Sequence, residues 1–260
     1  MLTFEQGFAD AERAAQAVGR AAKDILKAAK QMEKAAQEGD IKKLRKAAAG
    51  VDAATGTGRQ EGSNARSAWP FSEDDEQQYL EREYAAEFLA SAKSAGLTVH
   101  ERDERFIAFP SIVQLLPADR AVKIDRKRVS ALRPSHLTAT LVANQKKGPR
   151  TKSEQFLESL YAAYKLLVPR DRAGTAIKLV DVYQAFTLQS GAAAEYGKSE
   201  FARDLFVLDR SNISRTRSGF AVSLPGAPSA KGAERDRISF VAPDGESKTY
   251  YGLQFTEDGK

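Results

Sequence analysis

The sequence contains no cysteine and only two histidines among its 260 residues. Without cysteine the chain forms neither disulfides nor thiolate metal sites, which is typical of a protein in a reducing compartment. His100 and His136 have no second histidine at metal-ligand spacing, so we expect no structural zinc site. No apolar run approaches the roughly 18 residues that span a bilayer, and the charged N-terminus lacks the apolar segment of a signal peptide. We therefore predict a cytoplasmic protein with no cofactor and no membrane association.

The motifs of common enzyme classes are also missing. Gly197-Lys198-Ser199 matches the end of a phosphate-binding loop, but Gly191 lies one residue too far upstream for the backbone N–H groups to close around a phosphate. No G-x-S-x-G turn marks a nucleophilic serine. The acidic run 73–76 is explained as a helix N-terminus, where carboxylates complement the helix dipole. We predict that the protein is not an enzyme.

Positive charge is concentrated in the middle of the chain. Residues 101–152 carry 12 Lys and Arg against 5 Asp and Glu, whereas residues 61–100 carry 3 against 8. Such asymmetry indicates a polyanion or a protein as partner, and a solvated surface is the alternative. The segment NQKKGPRTK supplies four of these cations: Lys146, Lys147, Arg150 and Lys152. They are candidates to neutralise phosphates, although an exposed linker made soluble by lysine explains them equally well.

The N-terminal residues 1–55 predict a helical hairpin. Residues 3–38 lack proline, and from Phe4 onward apolar side chains recur at steps of three and four residues, which places them on one stripe of a helix. Gly39 and Asp40 then supply a C-cap and the N-cap of a second helix. Because the stripe is mostly alanine, which buries little area, the hairpin either docks on a partner protein or folds against its own chain.

The next two segments predict a linker and a mixed central unit. Residues 56–68 are rich in glycine and serine without an apolar period, which is typical of a flexible linker. The central unit, residues 69–152, begins with an acidic helix over 73–95, a second candidate surface for a partner protein. Short β-type runs between residues 97 and 124 then predict an antiparallel meander, and the basic run 125–128 leads into another helix.

The C-terminal residues 153–260 predict three helices followed by strands. The helices are expected at 153–167, 175–188 and 198–208, and the strands at 219–224, 238–241 and 250–255. This order of elements resembles a winged-helix domain over roughly residues 153–257.

The resemblance implies contact with double-stranded DNA. In a winged helix the last of the three helices enters the major groove while the wing touches the backbone. The candidate contacts are Lys198, Arg203 and Arg210 on or beside the third helix, and Arg215 and Arg217 before the first wing strand. Asp204 and Asp209 offset part of this charge, and many winged helices serve only as protein-interaction modules.

Together these observations predict an α+β protein with an N-terminal helical hairpin, a helix-plus-meander central unit and a winged-helix-like C-terminal domain. Alanine-rich helices and arginine usage are typical of a bacterial protein. We predict a non-catalytic DNA-binding subunit of a multi-protein assembly that contacts DNA mainly through phosphates and can form a homo-oligomer. The alternative is a protein–protein adaptor or scaffold subunit without nucleic-acid contact.

Overall fold

The computed structural model describes residues 2–149, 152–189, 191–226 and 236–257. It has the predicted α+β composition, with a pair of long helices at the N-terminus and antiparallel sheets further along the chain. Two compact units are present, Met1–Phe88 with Leu132–Ser135, and Leu89–Ala131 with His136–Lys260.

Two long helices begin the first unit. The first, α1 (Phe4–Glu38), is capped at its start by the hydroxyl of Thr3 and ends at Gly39, whose φ of 70° reverses the chain. The second, α2 (Ile41–Arg66), starts at Asp40, whose carboxylate accepts a hydrogen bond from a backbone N–H of the first turn. The predicted caps and the predicted helical hairpin are therefore confirmed.

The predicted linker over residues 56–68 is wrong, because α2 continues through this segment to Arg66. Gly58 lies against α1, and a Cβ added there would come within 2.9 Å of Ile25 Cδ1. Glycine therefore lets the two helices approach closely at this point. The pairing supplies the stability that a glycine- and serine-rich segment lacks by intrinsic helix propensity.

An aromatic cluster forms the core of the first unit. Two helices, α3 (Glu73–Arg82) and α4 (Tyr84–Ser94), replace the single helix that we predicted, because the chain breaks at Glu83. Phe4 is 2% exposed and stacks on Tyr79 with ring centroids 4.4 Å apart. Four more rings contact Phe4, namely Phe8, Trp69, Phe71 and Tyr84.

Arg133 connects the short second segment of this unit to α1. Its Nε donates to Glu5 Oε1 at 2.7 Å and its Nη1 to Glu12 Oε2 at 2.5 Å, while the Ser135 backbone N–H donates to Glu5 Oε2 at 2.9 Å. Burial alone would raise the pKa of Glu5, but these donors outweigh it and lower the pKa below its ordinary value.

The second unit contains an antiparallel meander in which each strand pairs with the next along the chain. The strands are β1 (His100–Arg102), β2 (Arg105–Ala108), β3 (Ser111–Leu116), β4 (Ala121–Ile124) and β5 (Lys127–Val129). The last strand was not predicted, because its lysine and arginine gave no apolar alternation. The following helix, α5 (Pro134–Lys147), begins only after it.

In the rest of the second unit the helices come first and the strands last, apart from the short strand β6. They are α6 (Ser153–Leu167), β6 (Ile177–Lys178), α7 (Leu179–Phe186), α8 (Ala192–Glu195), α9 (Lys198–Asp209), β7 (Ala221–Ser223), β8 (Ile238–Val241), β9 (Ser247–Tyr250) and β10 (Gly252–Thr256). One sheet has the order β6–β10–β7, and β8 pairs with β9. Helices α6, α7 and α9 bury their apolar faces together, and Phe240, Leu253 and Phe255 of the strands complete the core.

Candidate functional site

The second unit contains a cavity of about 670 Å³. Its lining comes from the start of β3, the turn between β4 and β5, the last turn of α5, the first two turns of α6, the end of α7, the residue after α8 and the middle of α9. A concave site of this size falls within the range of small-ligand pockets. We therefore take it as the candidate functional site.

Besides the buried Arg203, four cationic side chains line the cavity, and we call these four the basic rim: Arg126, Lys127, Lys147 and Lys152. Arg126 lies in the β4–β5 turn, Lys127 begins β5, Lys147 ends α5, and Lys152 is the N-cap residue of α6. All four are exposed. Three separate elements thus bring positive charge to one cavity, although the pair Arg126 and Lys127 is about 20 residues from Lys147 and Lys152 in the sequence.

A buried ionic network centred on Arg203 lies beneath the rim. The Arg203 guanidinium donates to Asp125 Oδ1 at 2.6 Å, to Asp204 Oδ1 at 3.0 Å and to the Pro110 carbonyl oxygen at 3.3 Å. Burial disfavours the charged guanidinium, but the two carboxylates outweigh it and raise the pKa of Arg203. The Tyr196 hydroxyl donates to Asp204 Oδ2 at 2.8 Å. Arg203 is therefore fully engaged with the protein.

This network fixes the turn that carries Arg126 and leads into Lys127. Asp125 has a φ of 53°, its backbone N–H donates to the Ile112 carbonyl oxygen at 2.8 Å, and its carboxylate accepts from the Ile112 N–H at 3.1 Å. Arg203 donates to the same carboxylate oxygen. The next residue, Arg126, lies over the ring of Tyr196, 4.5 Å from its centroid. The turn is therefore held by contacts with β3, α9 and Tyr196.

Aromatic side chains line another part of the cavity, and we call them the aromatic wall: Phe156, Phe186 and Tyr196. Phe156 and Phe186 meet edge to face with centroids 6.1 Å apart, and Phe186 and Tyr196 stack at 6.3 Å. Polar side chains also line the cavity, among them Asn144, Gln155 and Ser159. The cavity thus combines cations, hydrogen-bonding groups and ring faces.

The predicted site residues separate into two groups. Lys147 and Lys152 are brought together at the cavity, and Lys146 is exposed beside them at the end of α5. Arg150 lies outside the described residues. Arg126 and Lys127 were counted in the central charge but were not predicted as site residues. Their one sequence signal was the aspartate before them, which ends an apolar strand as turn residues do.

The prediction that Arg203 contacts DNA is wrong, because Arg203 is only 8% exposed and binds three oxygen atoms of its own unit. Most of helix α9 is buried, namely residues 200–206 and Leu208. Arg105 of β2 pairs with Glu200 at 3.0 Å, and the α9 ring of Phe206 lies 5.2 Å from that of Phe240. A helix covered in this way has no free face to insert into a major groove.

The remaining predicted residues lie at the ends of α9 and in the segment after it. Lys198 is exposed at the first position of α9, and Arg210 lies over the ring of Phe206 at 5.2 Å. Arg215 and Arg217 are both exposed, and the Arg217 backbone N–H donates to Glu158 Oε1 at 2.6 Å. None of these four lines the cavity.

No protein-family model, no curated protein and no solved structure matches this chain. Over the ranges described above, every helix is too short or too polar to cross a bilayer. In the same ranges, no group of three or more His, Asp or Glu side chains is placed to hold a metal ion.

Proposed function

We propose that the protein is a non-catalytic, cytoplasmic DNA-binding subunit that contacts double-stranded DNA through its phosphates. The observation that carries the proposal is the convergence of Arg126, Lys127, Lys147 and Lys152 on one cavity. Exposed cations held by ordered elements are suited to phosphate oxygens, and contacts of this kind position a protein on DNA without reading its sequence.

The sheet order supports this proposal. Strand β6, which lies between α6 and α7, pairs with β10, and β10 also pairs with β7. This arrangement, in which the short strand β6 follows α6 and joins β7 and β10 in one sheet, is in keeping with the resemblance to a winged helix. Because α9 is covered, we assign the DNA contacts to the basic rim and not to this helix.

The expected salt dependence follows from the number of rim cations. If each of the four neutralises one phosphate, the logarithm of affinity falls with the logarithm of salt concentration with a slope of about −3.6. Affinity then decreases by about 150-fold between 50 and 200 mM salt. Affinity for unrelated duplex sequences should be nearly equal, because phosphates carry no sequence information.

Fluorescence anisotropy with a duplex of about 20 base pairs tests the proposal at both salt concentrations. Lys147→Ala/Lys152→Ala should weaken binding and reduce the slope to about −1.8. Lys23→Ala/Lys27→Ala removes the same charge from exposed positions of α1 and is the matched control. Arg215→Ala/Arg217→Ala tests the segment before β7. The assignment to the rim is refuted if this third variant loses affinity and the rim variant does not.

The alternative function, a protein–protein adaptor, is favoured by apolar side chains on the first unit. Leu26 of α1 is 56% exposed and Ile41 of α2 is 67% exposed. Large apolar residues on helices are frequent in protein interfaces, although scattered ones are also normal on surfaces. Absence of duplex binding at 50 mM salt would favour the adaptor function, in which the helical pair or the acidic helix α3 contacts a partner protein or a second copy of the chain.

A further inference from the structure

We infer that the cavity of the second unit binds the terminal nucleotide of a DNA strand, with a terminal phosphate at the basic rim and the base at the aromatic wall. This inference rests on the proposed function and names the part of DNA that the site takes.

The shape of the site favours a strand end over the side of a duplex. The backbone of a duplex is convex, and its internal phosphates meet a protein along a surface. The cavity is instead concave, and at about 670 Å³ it lies within the range of pockets that enclose small ligands. A terminal nucleotide can leave the helical stack and enter such a pocket, and single-stranded or unpaired ends do so at the lowest cost.

The charge of the rim favours a terminal phosphate over an internal one. An internal phosphodiester carries one negative charge, whereas a phosphate monoester carries about −1.5 to −2 at neutral pH and offers three acceptor oxygens. Lys147 and Lys152 approach the cavity from α5 and α6, and Arg126 approaches from the β4–β5 turn. Cations on separate elements can contact different oxygens of one terminal phosphate. An internal phosphodiester carries a single charge and makes less use of this arrangement of cations.

The aromatic wall gives the cavity a second kind of contact that a simple phosphate site does not need. Phe156, Phe186 and Tyr196 line the same space as the cations. Aromatic rings bind bases by stacking with little dependence on sequence, because every base has a π face. Gln155 and Ser159 lie beside them and supply hydrogen-bonding groups for base edges.

Hydrogen bonds within the protein hold the cavity walls. The contacts of Arg203 with Asp125 and Asp204, and of Tyr196 with Asp204, tie the turn, α9 and the aromatic wall together. A preformed site loses less conformational entropy on binding than a flexible loop does. Arg203 is therefore assigned as a positioning residue and not as a ligand contact.

The test compares duplexes that differ only at their ends, each carrying an internal fluorophore. The probes are a duplex with short single-stranded ends bearing 5′-phosphates, the same duplex with 3′-phosphates, the same duplex with hydroxyl ends, and a dumbbell of the same sequence closed by a loop at each end. We expect at least tenfold tighter binding of one phosphorylated duplex than of the dumbbell, with the hydroxyl-ended duplex between them.

Two variants localise the effect. Phe186→Leu alters the aromatic wall without changing charge and should reduce the preference for ends over the dumbbell by several-fold. Phe220→Leu is the matched control, because Phe220 stacks on Tyr161 and does not line the cavity. Lys147→Ala/Lys152→Ala should reduce the preference for phosphorylated over hydroxyl ends.

The outcomes separate this inference from the proposed function. Equal affinity for the dumbbell and the open duplexes would overturn the inference and leave phosphate-mediated duplex binding in place. A preference for ends that survives both cavity variants would also overturn it, because the ends would then bind elsewhere. Absence of binding to every probe at 50 mM salt would overturn the proposed function itself.

Discussion

Replacing Arg203 by methionine tests whether the buried network holds the second unit together. Methionine keeps much of the length and apolar volume of the side chain but removes all hydrogen-bond donors of the guanidinium. Asp125, Asp204 and the Pro110 carbonyl oxygen would each lose a donor. The effect on the free energy of unfolding therefore reports the cost of leaving these acceptors without their cation.

The magnitude follows from the burial of the two carboxylates. Removing one partner of a buried ion pair costs about 3–5 kcal/mol, because the remaining charge is desolvated and uncompensated. The Asp204 side chain is only 5% exposed, but it keeps the hydrogen bond from Tyr196. The Asp125 side chain is 21% exposed and can be partly hydrated. We therefore expect Arg203→Met to lower the free energy of unfolding by about 3 kcal/mol, the lower end of that range.

Urea unfolding of the full chain at pH 7, followed by far-ultraviolet circular dichroism, measures this change. The matched control is Arg210→Met, the same substitution at the exposed C-cap of the same helix. Arg210 contacts only the ring face of Phe206 among the contacts described here, so its loss should cost less than about 1 kcal/mol. Adding Asp204→Asn to Arg203→Met should recover part of the stability, because a neutral amide is cheaper to bury than an unpaired carboxylate.

Two results would refute this reasoning. The first is a loss of less than about 1 kcal/mol for Arg203→Met, which would place the pair among solvent-screened surface ion pairs. The second is an Arg203→Met/Asp204→Asn variant whose loss of stability equals the sum of the losses measured for Arg203→Met and for Asp204→Asn alone. Substitutions within one hydrogen-bonded network should not have additive effects on stability.

Three further predictions concern the first unit. Phe4→Ala should lower the free energy of unfolding by about 3–5 kcal/mol, since Phe4 is 2% exposed at the centre of the aromatic cluster. Unfolding followed by the fluorescence of Trp69, the only tryptophan, measures this loss. A cost below about 1 kcal/mol would contradict the packing of the aromatic cluster. The contribution of Glu5 to stability should be present above its ordinary pKa of 4.5 and should disappear as pH falls through the lower pKa of the folded state. In urea titrations Glu5→Gln should therefore destabilise the protein at pH 7 and not at acid pH. An equal loss of stability at both pH values would contradict this prediction. Limited proteolysis should spare residues 56–66, since their backbone is helical, and first cleavage there, detected by mass spectrometry, would contradict the bounds of α2.

The sequence was sufficient to predict helices, caps and strands that depend on patterns within one segment. The apolar spacing in α6 predicted Ser153–Leu167, and these are the observed bounds. Gly39 and Asp40 marked the reversal between α1 and α2, and β-type runs marked four strands of the meander. These features depend on periodicity, caps and turns, all of which act between residues a few positions apart.

The candidate site was only partly accessible to sequence. Lys147 and Lys152 were predicted from a basic segment, but nothing local indicates that Arg126 and Lys127 line the same cavity. Their convergence depends on how the meander packs beside α5 and α6. Contacts between residues far apart in the chain are set by tertiary packing, which a single sequence does not display.

Tertiary structure alone determined the helical end of α2 and the burial of Arg203. The glycine-rich end of α2 is helical because α1 packs against it at Gly58, which outweighs weak intrinsic propensity. Arg203 reads as a surface cation of an amphipathic helix, yet the meander and β8 cover the second face of α9 and bury it. A charge is stable there because Asp125 and Asp204, one distant in sequence and one adjacent, meet it with oxygen atoms that compensate for the water it has lost.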